Sequence, residues 1–178
     1  MLHGTGLAAS AKATVNKRCG KYFSAIMEIS SILQDFRIDA VGGIKAGLAI
    51  YELALVPSLL NNADTWVDIS KETEDRLESM QNTMFRYLFA VPNSTPQPIL
   101  RFDLGHLSMK EKVHIKKLCL LYHLKTLPAE SLGNKFYEMQ VKYAFPGLIS
   151  ECRKLIKYYN LDDIIDGNVM LSKQVWMK

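Results

Sequence analysis

Apolar residues return every three or four positions along most of this chain, the period of a helix lying on a core. Within residues 14–35, "TVNKRCGKYFSAIMEISSILQD", Phe23, Ile26, Ile29 and Leu33 fall at helical spacing. Gly42 and Gly43 punctuate the chain before "IKAGLAIYELALVPSLLNNADTW", where Ile44, Leu48, Tyr51, Leu55 and Leu59 repeat the pattern. That run is apolar around most of its circumference and is expected to sit in the middle of the domain. Pro57 removes a backbone donor and crowds the preceding turn, so a kinked helix is expected, not a straight rod. Ser70 suits an N-cap, with Glu72, Glu74 and Asp75 complementing the positive end of the next helix. This helix is expected to run to about Phe89, with Leu77, Met80, Met84, Tyr87 and Leu88 as its apolar stripe.

Three of the six prolines fall in the connector "VPNSTPQP". Thr95 and Pro96 have the N-cap and first-turn arrangement that starts a short helix, and Gly105 is placed to end it. Ser108 and Glu111 form a capping box opening "MKEKVHIKKLCLLYHLKT", which Pro128 stops. Further helices are expected at about 129–142 and 146–160, and a last one from Ser172. With no hairpin signal and no two-residue alternation, the pattern predicts an all-α protein. Its form would be an irregular multi-helix bundle over residues 1–92 and a basic helical region over 93–178 packed on it.

Composition narrows the class. Apolar residues make up 48% of the 178 positions and charged residues 22%, enough for a real core. No stretch of 18 uncharged apolar residues exists, so no membrane span is expected. The N-terminus has no apolar run behind a basic start, and Cys19, Cys119 and Cys152 are odd in number and far apart. Reduced thiols in an intracellular protein, cytoplasmic or nuclear, are the simplest expectation. His3, His106, His114 and His123 pair with no cysteine at metal-ligand spacing, so neither metal nor cofactor is expected. The net charge of +4 is unevenly spread: residues 101–160 hold eleven Lys/Arg against five Asp/Glu, whereas 61–100 hold three against six. Such a basic block suits a polyanion such as nucleic acid.

The candidate chemistry is sparse. Adjacent Asp162 and Asp163 resemble a two-metal pair, but such a pair needs a strand hairpin and a third carboxylate, and N-capping of a short helix is the better reading. Lys112, Lys116 and His123 form one stripe of the 109–125 helix, flanked by Lys110 and Lys117. They are either a phosphate-tracking face or a solvated one. Cys119 lies among leucines and reads as a structural thiol, and Trp66 reads as a core aromatic before it reads as a base-stacking one. No phosphate loop, nucleophile elbow or zinc motif is present, so no catalytic residue is assigned and no enzyme is expected.

"LHGTGLAASAKATVNKRCGK" followed by "GGIKAGLAIYELALVPSLLNNADTW" resembles the region just downstream of the catalytic palm in non-LTR, LINE-type retrotransposon reverse transcriptases. The family's T-x-x-K-R-x-G-K helix corresponds to Thr14, Lys17, Arg18, Gly20 and Lys21, and its N-x-x-x-W tag to Asn62 and Trp66. The resemblance continues through a Leu-x-x-x-Gln-Asn helix (Leu77, Gln81, Asn82), the Ser94-Thr95-Pro96 connector, the basic pair Lys116-Lys117, and a closing S-K-x-x-W. Where relatives often carry Pro-Ile-Arg, this chain has Ser108-Met109-Lys110.

The resemblance implies the thumb and the helices after it, which grip template–primer duplex beside the palm. The chain begins after the palm, so the polymerase aspartates are lacking and Met1 reads as an internal start in a partial element. The implied activity is sequence-independent binding of an RNA–DNA or RNA duplex through Lys17, Arg18, Lys21, Lys110, Lys112, Lys116 and Lys117, without catalysis. Pro57, Asn62, Trp66, Pro96 and Gly105 would be structural. The palm of a parent polymerase is an implied partner. Self-association through the face the palm would cover, a protein–protein interaction module, and an inert fragment are the alternatives.

Overall fold

The structure of the chain, a computed structural model, describes residues 5–35 and 40–161, with side chains over 11–32, 42–101 and 105–161. The protein is all-α: no strand occurs among the described residues. Helices run over Thr5–Asp35 (α1), Ala40–Ile50 (α2), Val56–Leu59 (α3), Lys71–Phe89 (α4), Gln97–Leu104 (α5), Met109–Thr126 (α6), Leu132–Tyr143 (α7) and Leu148–Tyr158 (α8). Asp162, Asp163 and the helix expected from Ser172 lie outside the described residues. Among the described residues, no helix is long and apolar enough to cross a membrane.

The chain divides into two compact units, Met1–Asn61 with Ile69–Lys110, and Asn62–Asp68 with Glu111–Lys178. The division expected after residue 92 therefore falls at Lys110 instead. The reason is a set of bonds that hold α5 and the start of α6 to α4. Glu78 accepts from the Arg101 guanidinium at 2.8 Å and from the Lys110 backbone N–H at 3.0 Å. Buried Gln81 donates to the Leu107 carbonyl at 2.9 Å.

In the first unit α1 buries Val15, Cys19, Tyr22 and Ile26, a row stepping by four, three and four residues. This corrects the stripe expected from the sequence by one position: Phe23 is 45% exposed and Tyr22 takes its place inside. Tyr51, Leu55 and Leu59 meet this row from the central rod, and Leu77, Met84 and Phe85 from α4. The Tyr51 and Phe85 rings meet edge to face with centroids 5.1 Å apart, and the Gln81 amide donates to the Tyr51 hydroxyl at 2.8 Å. Burial pushes the Tyr51 phenol well above its ordinary range. The rod is not buried all round, since Leu53 is 81% exposed.

Pro57 acts where expected, by a specific device. Residues Tyr51–Leu55 widen into a π turn in which the Val56 N–H reaches back to the Tyr51 carbonyl. A proline at 57 can neither bond the carbonyl four residues back nor tolerate it close by, and the wider turn removes that conflict. The rod ends at Leu60. Asn62 then takes a left-handed conformation (φ 55°), which asparagine tolerates better than most residues, and a short 3-10 turn over Ala63–Thr65 leads to buried Trp66.

Ser70 caps α4 as expected, its hydroxyl accepting from the Thr73 N–H at 3.3 Å. Gly105 ends α5 at φ 61°, with the His106 N–H returning to the Arg101 carbonyl at 3.1 Å. At the other end of α5, helix begins at Gln97, so Pro96 stands just outside it and Pro98 occupies the first turn.

The second unit packs α6, α7 and α8 around Leu118, Leu121, Leu148, Ile149, Cys152 and Ile156, with Tyr137, Val141 and Val67 against them. Ser131 caps α7 through the Asn134 N–H at 3.1 Å. Buried Asn134 in turn donates its amide to the Leu124 and Leu127 carbonyls at 3.4 and 3.2 Å, satisfying the open C-terminal end of α6.

Candidate nucleic-acid interface

In the first unit, Lys17 and Lys21 stand one turn apart on the exposed side of α1. Gly20, between them, is exposed in mid-helix, and a Cβ built on it meets nothing within 4 Å. Arg18 behaves differently. Its guanidinium donates to the Leu59 carbonyl at 3.4 Å and to the Asn61 carbonyl, so it caps the negative end of the rod. It is a structural residue in this arrangement. Lys110 is half-exposed, with its ammonium 3.1 Å from the Glu74 carboxylate. Lys12 pairs with Glu72 at 2.7 Å.

In the second unit, Lys116 and Lys112 are partly exposed on α6 and His123 is exposed further along. Lys117 is 4% exposed, and its ammonium lies 2.5 Å from the Glu151 carboxylate. Glu151 also accepts from the Asp68 backbone N–H, and the Cys152 thiol donates to the Lys117 carbonyl at 3.6 Å. The pair Lys116-Lys117 is thus split: Lys117 is itself buried and committed to the partly buried Glu151 carboxylate, so it cannot reach a phosphate without breaking that pair. Burial pushes the Cys152 thiol up to about 12, which keeps it protonated and unreactive. Cys119 is only partly buried.

Sequence reasoning missed the basic face of α8. Leu148, Ile149, Cys152 and Ile156 turn inward, which leaves Arg153, Lys154 and Lys157 exposed beside Tyr158, itself 74% exposed. The signal was present in the spacing of the apolar positions in "LISECRKLIKY".

A cavity of about 320 Å³ in the first unit is lined by Ile26, Ile29, Ile44, Met84, Leu88 and Phe89 among others. It carries no carboxylate, imidazole, amine or thiol, and its polar side chains are the hydroxyls of Ser30 and Tyr87. Among the described residues no group of three or more His, Cys, Asp or Glu side chains is arranged to hold a metal ion. No protein-family model, curated protein or solved structure matches the chain.

Proposed function

We propose that the chain is a thumb-like helical protein of reverse-transcriptase type, which binds an RNA–DNA or RNA duplex through its phosphate backbone and has no polymerase chemistry of its own. Support comes from the resemblance of its dispersed positions to the post-palm region, and from cations in each unit: exposed Lys17 and Lys21 in the first, and partly exposed Lys116 with exposed Arg153, Lys154 and Lys157 in the second. Each phosphate such a side chain neutralises releases counterions, so the binding is steeply salt-dependent.

The observation that carries this reading is Gly20. A glycine inside a helix costs about 1 kcal/mol relative to alanine, and no neighbour among the described residues needs its small size. A bare patch of helix between two exposed lysines suits the close approach of a sugar–phosphate backbone. The test separates stability from binding. Gly20→Ala should raise the unfolding free energy by about 0.5–1 kcal/mol. Gly20→Leu, on the same exposed face of α1, should weaken binding to an RNA–DNA hybrid about tenfold while leaving the protein folded, as steric exclusion of one or two contacts implies. Unchanged affinity for the Leu variant would count against this face.

A second reading, a packing partner for the palm or another protein, is favoured by Phe23 and Met27. They lie one turn apart on α1, each 45% exposed. Such a face concerns the same unit but not the cations, and both roles are compatible.

A further inference from the structure

The geometry points to α7 as the docking site for an acidic amphipathic helix of another protein. Leu132, Phe136, Met139 and Tyr143 follow one another at steps of four, three and four residues and are all between 49% and 85% exposed. That spacing is the a/d seam of a helix pair, here facing solvent. It is distinct from the side of α7 that packs on the unit's own core, which uses Asn134, Tyr137 and Val141. A helix apolar on both sides has one face left to cover.

The flanks say what covers it. Exposed Lys135 and Lys142 each precede a seam aromatic and border the same side of the row, at the positions where paired helices place complementary charges. The opposite border is Gly133 and Gln140, which are uncharged, and exposed Glu138 lies beyond the lysines, further from the seam. A partner helix with Asp or Glu beside its own apolar row therefore meets two cations at the edge of an apolar strip. A second copy of this chain fits poorly: antiparallel pairing of two such seams sets Lys135 of one against Lys142 of the other. A single-stranded nucleic acid also fits poorly, because the seam's two aromatic rings, Phe136 and Tyr143, stand seven residues or about 10 Å apart along the helix, too far for neighbouring bases to stack on both.

The test uses the whole chain and two designed helical peptides of about 20 residues, long enough to hold some helix alone. Both carry leucine at alternating steps of three and four, one with Glu and one with Lys at the flanking positions. The Glu peptide should bind with Kd on the order of 10 μM and the Lys peptide at least about tenfold more weakly. Phe136→Glu should abolish binding with the thermal midpoint retained. The double variant Lys135→Glu/Lys142→Glu should reverse the preference in favour of the Lys peptide, a result that loss of folding cannot mimic. Equal binding of both peptides, or none of the Glu peptide, would overturn the proposal. So would a dimer, or a complex with single-stranded RNA, that Phe136→Glu dissolves.

Discussion

Among the described residues five non-glycine residues hold positive φ, and two of them, Ala90 and Ala144, end helices at φ 49°. At Ala90 the turn satisfies α4 well: the Val91 N–H returns to the Arg86 carbonyl at 3.2 Å. The left-handed conformation nevertheless presses Cβ on the backbone, and glycine is the residue that relieves it. Ala90→Gly and Ala144→Gly should each stabilise the protein by about 0.5–1 kcal/mol, read as a higher urea midpoint with unchanged slope. Gln81 and Asn82 show a contrast at the same scale. The buried Gln81 amide nitrogen donates to two partners while its Oε1 is unbonded, whereas Asn82 is equally buried and neither of its amide atoms is bonded. Leaving such a group unpaired costs about 1–3 kcal/mol.

At the scale of elements, α6 carries two adjacent lysines with opposite fates. Lys117→Ala should cost about 1–3 kcal/mol of stability, because it removes a buried cation from the partly buried Glu151 carboxylate, which keeps only the Asp68 N–H. Lys116→Ala should change stability by less than about 0.5 kcal/mol while weakening duplex binding. Denaturation and hybrid titration of the two variants separate the roles. The sequence could not distinguish these neighbours, since a Lys-Lys pair says nothing about which side chain meets a carboxylate 34 residues on. Arg18 was opaque for the same reason, its acceptors being carbonyls 41 and 43 residues away. Legibility was high where the cause is local. The Ser70 cap, the Gly105 stop and the disturbance at Pro57 depend on a few consecutive residues, and all appear where the pattern put them. On α1 the register slipped because Tyr22 and Phe23 are both aromatic and adjacent, and periodicity alone could not choose between them. The seam on α7 was legible in its spacing, but the helix reads as apolar on two sides, and only its packing shows which one the core uses.

At the scale of the molecule, the protein is a set of helices whose chemistry lies on exposed faces. The cavity of the first unit is lined by aliphatic, aromatic and small side chains, and the cations proposed to meet phosphate sit elsewhere, on α1, α6 and α8. That arrangement is what the proposed phosphate-backbone binding rests on. The central claim is phosphate-backbone binding, and the most direct measurement is fluorescence-anisotropy titration of the chain against an RNA–DNA hybrid from 50 to 200 mM salt, a range over which phosphate contacts show their counterion release. The account predicts a log–log slope of about −3 or steeper, from at least three or four neutralised phosphates. A slope near zero, or no binding at the lowest salt, would contradict it.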